Sequence, residues 1–298
     1  MKVSIDTRTL EPGDVFIPVK GDHFDGADFI DEALKRGASQ ILNVDLTRFA
    51  KAYRKKLSCE VIAVVGSFGK TTIKDYLKTV LGQYYNVVAT KENQNNEIGV
   101  PLTLLSADDQ TEILIIEMGL RKPGDLSSLV QLVRPTLVVH TGVGFSHAEF
   151  FKSENALAKE KASIFREAVL WEKERLGKRK AFIATQHDYV DVLKTKALKK
   201  GYDVYLYGAQ SLLGQPLALL EQIGQHFSLS IEQIKQALLQ YKPSKHRLSH
   251  VALSNNRLVI DDSYNANPKA CLYALDYLET LQAKRRLCVF AEMKELGS

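Results

Sequence analysis

Residues 61–77, "VIAVVGSFGKTTIKDYL", join an apolar run typical of a buried strand to a run with the pattern of a helix. Between the two runs lies GSFGKTT, residues 66–72. A glycine-lysine-threonine turn at such a junction suits a phosphate, because free backbone N–H groups and the positive end of the helix dipole point at the same place. Glycine allows close backbone approach at Gly66 and Gly69, and Lys70 can reach the outer phosphates of a nucleotide. The turn therefore predicts a nucleotide site.

This turn is a shortened form of the general phosphate loop, since the first glycine of G-x-x-x-x-G-K-[ST] would fall on Val64. The Thr71 hydroxyl keeps the position that ligates magnesium in such loops. A chance glycine-rich turn is the alternative, and the strand before it and the helix after it argue against that alternative. We expect the following residues to contact the nucleotide: Gly66, Ser67, Phe68, Gly69, Lys70, Thr71 and Thr72.

Two further candidate side chains follow apolar strands. Glu117 closes "EILIIE", and ligands of open α/β folds bind at the carboxyl ends of the strands. A carboxylate there can ligate magnesium, although a carboxylate taken alone more often caps a helix or lies on the surface. His147 follows the run "TLVVHT", whereas His140 belongs to that strand. Without further context, either histidine could be structural.

Two asparagine-containing stretches are weaker signals. "KENQNNEIGVP", which contains Asn95, indicates a polar turn before a helix. "DDSYNANP" likewise marks a strand end and a helix start, where Asp262 could be a helix cap or a ribose ligand. Each stretch, taken separately, predicts only local structure.

The elements that must position these residues fall into three segments. Residues 4–59 predict a small α/β module, with strands in "DVFIP" and "SQILNV" and a capped helix in "DGADFIDEALKRGA". From Glu60, near-continuous apolar strands alternate with helices, which indicates a parallel sheet covered on both faces. Two helices are predicted in "SLLGQPLALLEQIGQHF" and "SIEQIKQALLQY". Near Leu248 a third segment begins, with "RLVID" as a strand, then a helix, then "RLCVF" as a strand.

Composition sets the broad class. The chain has 298 residues, of which 45% are hydrophobic and 25% charged, as in ordinary globular proteins. Its net charge of +5 is mild, and basic clusters such as "KAYRKKL" are typical of solvated helix faces, so we expect no nucleic-acid partner. No apolar run approaches the roughly 18 residues of a membrane span, and no signal-peptide pattern opens the chain. We expect a cytoplasmic protein without membrane insertion. Cys59, Cys271 and Cys288 lack metal-ligand spacing.

Several stretches, in order, make the chain resemble the Mur ligase family of cell-wall synthesis: "DTRTLEPGDVFIPVKGDHFDGADFI", "GSFGKTT", "NQNNEIGVPLTLL", "EMGLRKPGDLSSLVQLVRPTLVV", "SHAEFF", "AKEKASIF", "DDSYNANP" and "EMKELG". The resemblance covers nearly the whole chain and is strongest to the branch that joins D-alanyl-D-alanine to UDP-N-acetylmuramoyl-tripeptide. It implies an α/β fold with a uridine-binding module at residues 1–58 and a central P-loop ATP-binding domain with a parallel sheet at 59–247. An incomplete Rossmann-like ligase domain would occupy 248–298. Compared with the family pattern, the chain would be shortened at both ends and in the central domain.

The resemblance also implies roles for individual residues. Thr7 and Arg8 would approach the uridine nucleotide. Lys70, Lys161 and His147 would be catalytic, with Lys161 carried as a carbamate, although a solvated helix lysine is the alternative at that position. The remaining implied contacts are Asn95, Arg247, Asp262 and Asn265 on the nucleotide, and Thr71, Glu117, His147 and Lys161 on magnesium.

The implied reaction uses ATP and Mg²⁺. ATP phosphorylates the terminal carboxylate of UDP-N-acetylmuramoyl-tripeptide, and the amine of D-alanyl-D-alanine attacks the acyl phosphate through a tetrahedral intermediate. Positioning and charge neutralisation would do most of the catalysis. We expect a cytoplasmic monomer that takes these two small molecules as substrates.

The chain departs from the family pattern at Phe68, where a small or polar residue is usual, at Ser163, which replaces a glutamate, and at His246, which replaces a glycine. With the short carboxyl-terminal segment, we expect ligation to suffer more than nucleotide binding. Two alternatives follow. One is a non-catalytic, Mur-ligase-like nucleotide-binding protein or fragment. The other is a Mur-fold ligase with another acid and amine, such as the folate or cyanophycin type.

Overall fold

Three short parallel strands form the core of the first module. The computed structural model describes residues 2–21, 24–144, 150–166, 178–208 and 214–293. The strands pair in the order β1, β2, β3, and two helices follow the second and third of them. In chain order the elements are β1 (Val3–Ser4), β2 (Val15–Phe16), α1 (Ile30–Lys35), β3 (Gln40–Ile41) and α2 (Leu46–Arg54). Strand β1 was not predicted, because two residues are too few to show alternation.

The central segment forms the predicted parallel sheet. Six strands pair in parallel in the order β5-β6-β4-β7-β8-β9. These strands are β4 (Glu60–Val65), β5 (Val87–Ala89), β6 (Ile113–Glu117), β7 (Leu137–His140), β8 (Lys180–Ala184) and β9 (Asp203–Tyr207). The helices are α3 (Lys70–Leu81), α4 (Gly99–Leu105), α5 (Asp125–Val133), α6 (Glu154–Lys161), α7 (Val190–Lys199), α8 (Gly214–His226) and α9 (Ile231–Leu238).

Both faces of this sheet are buried, as the apolar strands predict. Alternate residues of β4 enter two separate cores: Val61, Ala63 and Val65 pack with α2 and α4–α7, whereas Ile62 and Val64 pack with α3, α8 and α9. The carboxyl ends of the strands therefore meet at one edge between the helical layers. None of the helices in the part of the chain that the structure describes combines the length and apolarity needed to cross a bilayer.

The carboxyl-terminal segment differs from the sequence prediction. It contains an antiparallel hairpin, β10 (Ser249–Leu253) with β11 (Arg257–Asp261), followed by helix α10 (Pro268–Thr280). The hairpin turn has positive φ at Asn255 and Asn256, 60° and 52°, as tight hairpin turns require. The predicted strand "RLCVF" is wrong: residues 286–290 form no strand, and Val289 is 98% exposed. A strand needs a neighbour for its backbone hydrogen bonds, and apolar composition alone does not supply one.

Candidate nucleotide site

The turn after β4 has the backbone geometry that phosphate binding needs. Gly69 precedes α3 in the left-handed region, with φ 71°, and no side chain caps the helix. The first N–H groups of α3 can therefore serve an anionic ligand, which the helix dipole also favours. At Gly66 a Cβ atom would lie 2.0 Å from Thr141 Oγ1, so only glycine fits there.

The loop that follows β7 holds this turn in place. The Ser67 backbone N–H donates to the Gly142 carbonyl at 2.9 Å, and the Ser67 hydroxyl donates to the Gly144 carbonyl at 2.7 Å. The Thr141 hydroxyl donates to the Phe68 carbonyl. The turn is thus preorganised by the neighbouring strand end, and Thr141 is a positioning residue that the sequence analysis missed.

Lys70 and Thr71 begin α3 with their side chains on the cleft. Lys70 Nζ donates to the Gly66 carbonyl at 3.0 Å, which brings the ammonium group over the turn. The Thr71 hydroxyl donates to Glu117 Oε2 at 2.9 Å. The turn and the end of β6 therefore meet, as parallel strand ends predict.

Glu117 is the centre of a buried polar group. Its side chain is 2% exposed, and Oε1 accepts a hydrogen bond from Asn95 Nδ2 at 2.8 Å while Oε2 accepts from Thr71. The Glu117 backbone N–H donates to Thr90 Oγ1 at 3.0 Å. Asn95 thus orients the carboxylate, a contact that the sequence did not reveal. The interpretations of Glu117 as a helix cap or a surface carboxylate are wrong.

The oxygen atoms at this point fit magnesium. Mg²⁺ prefers hard oxygen ligands, and the Thr71 hydroxyl and the Glu117 carboxylate are of this kind. Thr71 Oγ1 and Glu117 Oε2 lie 2.9 Å apart beside the phosphate turn. Magnesium in nucleotide sites commonly takes one or two protein oxygens and completes its shell with phosphate and water oxygens. Of the two further metal ligands that the resemblance implies, Lys161 lines the same cleft, whereas His147 lies outside the described residues.

Arg247 reaches the same hydroxyl from the carboxyl-terminal segment. One of its terminal nitrogens donates to Thr71 Oγ1 at 3.4 Å, and its guanidinium lies 3.9 Å from the centre of the Tyr264 ring. The backbone around it is held by Asp262, whose Oδ1 accepts from the Leu248 N–H at 3.1 Å. Burial raises the pKa of Asp262. In this structure Asp262 positions the Arg247 loop.

Lys161 is the last residue of α6 and is 2% exposed, so the alternative of a solvated helix lysine is wrong. It lies near His140, which is fully buried and accepts a hydrogen bond at Nδ1 from the Gly142 N–H at 3.2 Å. Burial, then nearby His187, Lys161 and Lys70, lower the pKa of His140. Because Lys161 also lines the cleft, its side-chain amine can contact a ligand bound there.

Thr7 and Arg8 lie apart from this group. They belong to a short 3-10 turn, Thr7–Thr9, which Asp6 caps by accepting a hydrogen bond from the Arg8 backbone N–H. Thr7 is buried, whereas the Arg8 side chain is 84% exposed and pairs with Asp6 at 2.6 Å. Asp6 and Ser4 line the cleft from this module. The uridine contacts of Thr7 and Arg8 stay a prediction.

One cleft of about 2610 Å³ connects these features. It is lined by the first module, the phosphate turn, the end of β6, Lys161 and the carboxyl-terminal segment. The structure therefore brings together most of the residues that the sequence analysis singled out: Gly66, Ser67, Phe68, Gly69, Lys70, Thr71, Thr72, Asn95, Glu117, Lys161, Arg247, Asp262 and Asn265.

Three family models match consecutive parts of the chain. They describe the catalytic domain of the Mur ligase family at residues 2–68, the Mur ligase middle domain at 64–248 and the Mur ligase glutamate ligase domain at 246–298. The middle-domain match alone spans more than half of the chain.

Curated relatives are similar along the whole chain. The UDP-N-acetylmuramoyl-tripeptide-D-alanyl-D-alanine ligase of Bacillus subtilis is 30% identical over 339 aligned positions, covering 99% of this chain and 74% of the relative. The ligase of the same name from Escherichia coli is 30% identical over 346 positions, covering 99% and 75%. The chain thus spans about three quarters of the length of these relatives.

Solved structures share the fold. MurF from Acinetobacter baumannii superposes with a TM-score of 0.80 at 22% identity, over 94% of this chain and 71% of that one. MurF from Thermotoga maritima, solved in complex with ADP, superposes with a TM-score of 0.75 at 24% identity, over 95% and 75%. With its sequence matches, its α/β architecture and its phosphate turn, this chain belongs to the Mur ligase family.

Proposed function

We propose that this chain is an ATP-dependent ligase of peptidoglycan precursor synthesis, which joins D-alanyl-D-alanine to UDP-N-acetylmuramoyl-tripeptide through an acyl phosphate. The observation that carries the proposal is the contact of Thr71, on the phosphate turn, with the buried Glu117 at 2.9 Å, beside Lys70 and in one cleft with Lys161 and Arg247. The relatives that are 30% identical to this chain bear the name of that reaction.

The cationic groups of the cleft suit the transfer of a phosphoryl group. Lys70 and the N–H groups that begin α3 hold the phosphates, and Arg247 adds a second positive charge at Thr71. Mg²⁺, held by Thr71 and Glu117, would neutralise charge on the phosphates when bound. Such reactions depend mainly on positioning and electrostatic stabilisation rather than on an acid-base pair.

The organisation of the chain follows from this reaction. Residues 1–58 hold the UDP-linked acid, and residues 59–247 hold ATP and Mg²⁺. Residues 248–298 contribute Asp262 and Asn265, which line the cleft together with Arg247 and contact the nucleotide. Lys161, buried at the cleft, acts as a carbamate that supplies an anionic oxygen to the metal site. The proposed protein is a cytoplasmic monomer.

The test is the release of inorganic phosphate from ATP in the presence of UDP-N-acetylmuramoyl-tripeptide and D-alanyl-D-alanine. We expect phosphate release that requires both substrates, and a product whose mass equals their sum less one water. Replacement of D-alanyl-D-alanine by L-glutamate is the control for a ligase with another amine. ATP binding without phosphate release under any of these conditions would contradict the proposal and favour a non-catalytic nucleotide-binding protein.

A further inference from the structure

Phe68, inside the phosphate turn, contacts an aromatic residue of the carboxyl-terminal helix. The ring centres of Phe68 and Tyr273 lie 5.4 Å apart, with an angle of 56° between their planes. Tilted aromatic pairs at this separation are favourable beyond the area that they bury. The contact joins the turn between β4 and α3 to the middle of α10, two elements about 200 positions apart in the sequence.

The Phe68 ring also lies close to the loop after β7. A Cβ atom at Gly142 would lie 2.7 Å from Phe68 Cζ, and one at Gly144 would lie 3.2 Å from Phe68 Cε1. The ring therefore occupies space that opens because both of these residues are glycine. Phe68 thus contacts both the loop after β7 and Tyr273, so the position of α10 determines one wall of the ring's site.

Helix α10 is only partly buried, and its other contacts include that of Tyr277 with His250 of the hairpin. None of its residues is fully buried, and Leu272 is 59% exposed on its outer face. Elements with little buried surface open most readily. The same carboxyl-terminal segment carries Asp262, Asn265 and the Tyr264 ring that stacks on Arg247. Because α10 directly follows this stretch, its docking on the turn helps to hold these groups at the cleft.

We propose that Tyr273 is a positioning residue for nucleotide binding, which acts through Phe68 to couple the docking of α10 to the conformation of the phosphate turn. The inference rests on the proposed function for the identity of the nucleotide. Since a coupling between two events is reciprocal, nucleotide binding at the turn also stabilises the docked helix.

ATP affinity, measured by calorimetry with Mg²⁺ on the full chain, tests the functional part. We expect Tyr273→Ala to weaken ATP binding about three- to tenfold, the range that an aromatic pair supports. Tyr273→Phe keeps the ring and should bind within about twofold of the unmodified chain. The matched control is Leu272→Ala, the neighbouring position on α10, whose side chain is 59% exposed and does not line the cleft.

Phe68→Ala provides a second route if Tyr273→Ala loses the helix altogether. Because both changes remove the same contact, the double variant Phe68→Ala/Tyr273→Ala should bind ATP no more weakly than the worse single variant. Additive losses, or equal affinity of Tyr273→Ala and the unmodified chain, would overturn the inference. Failure of the unmodified chain to bind ATP would contradict the proposed function instead.

Hydrogen exchange of the nucleotide-free chain tests the coupling without ATP. Tyr273→Ala should accelerate exchange of the amides in residues 67–72, and Phe68→Ala should accelerate exchange in residues 268–280. Tyr273→Phe and Leu272→Ala should leave exchange in residues 67–72 unchanged. Unchanged exchange of the turn in Tyr273→Ala overturns the inference whatever the ATP measurements give.

Discussion

The Thr71 hydroxyl donates a 2.9 Å hydrogen bond to Glu117 Oε2, and this contact joins the phosphate turn to the end of the neighbouring strand β6. The register of the sheet explains it, because Val64 of β4 pairs with Glu117 and the turn begins two residues later. Asn95 holds the second carboxylate oxygen at 2.8 Å. Two oxygen-containing side chains that can ligate magnesium, Thr71 and Glu117, therefore lie beside the phosphate turn.

Glu117→Gln tests the metal site. The substitution keeps the size of the side chain but removes its charge and replaces one carboxylate oxygen with an NH2 group. The amide therefore has only one oxygen and cannot accept hydrogen bonds from Thr71 and Asn95 at separate oxygens, as Glu117 does. We expect the gain in ATP affinity that Mg²⁺ provides to fall at least about tenfold, since a hydrogen bond to a charged group is worth roughly 1.5–3 kcal/mol. Calorimetry with Mg²⁺ and with EDTA measures this gain.

The control for that experiment is Glu112→Gln. Glu112 is exposed and lies just before β6, at the opposite end of the strand from Glu117. The Glu112→Gln variant should bind ATP with the same affinity as the unmodified chain and show the same gain in affinity with Mg²⁺. An unchanged Mg²⁺ response in Glu117→Gln would exclude this carboxylate from the metal site.

Lys70→Ala tests the phosphate turn. The ammonium lies over the turn, where its Nζ donates to the Gly66 carbonyl at 3.0 Å. Removal of a charge-assisted contact to a phosphate should weaken ATP binding by roughly ten- to a hundredfold, and turnover should be lost. Lys194→Ala, on the exposed face of α7, is the control. Equal ATP affinity and equal activity in Lys70→Ala would contradict the nucleotide site.

Lys161→Ala tests the carbamate. The buried position of Lys161 places it where an anionic oxygen is needed, and we expect the variant to be inactive and to regain part of its activity with small carboxylic acids. Lys159→Ala, two residues earlier and exposed on the same helix, should remain active. Carbon-13 NMR after incubation with labelled bicarbonate should show a carbamate signal in the unmodified chain but not in Lys161→Ala. Full activity of Lys161→Ala without rescue would remove the carbamate from the mechanism.

His187 should make the stability of the fold sensitive to acid. Burial, and then the charge of Lys269, lowers its pKa from 6.5 to about 4. The unfolded chain therefore binds more protons than the folded chain between these two values, so stability falls as the pH drops through this window. The expected loss from His187 is on the order of 3 kcal/mol between neutral pH and pH 4. The lowered pKa of His140, whose ring centre lies 6.0 Å away, acts in the same direction.

His187→Asn isolates this contribution. Asn Oδ1 can still accept from the Tyr189 N–H, which His187 Nδ1 does at 3.2 Å, but it does not titrate. Urea denaturation at pH 7.5 and pH 5 should show a smaller loss of stability for His187→Asn than for the unmodified chain. The exposed His250, changed to Gln, is the control. An identical pH dependence in His187→Asn would show that His187 is not the titrating group.

The sequence by itself determined the parts of this protein that depend on local pattern. The continuous apolar runs around residues 61–65, 113–117 and 137–140 indicate strands buried on both faces, and their alternation with helices indicates a parallel sheet. The glycines and Lys70 of residues 66–72 specify a phosphate turn wherever a strand leads into a helix. Glu117 could be placed at the same edge because parallel strand ends meet there.

Only the tertiary structure decided how the residues of the site contact one another. Asn95 and Arg247 reach the carboxylate and hydroxyl at its centre from 22 and 176 positions away, and no periodicity in the sequence encodes such a contact. The burial of Lys161, the aromatic contact between Phe68 and Tyr273 and the absence of a strand at residues 286–290 have the same origin. Each of these features depends on contacts with residues that are distant in the sequence. Whether an amine is buried, two rings touch or a segment forms a strand is decided by what packs against it, and not by its own residue types alone.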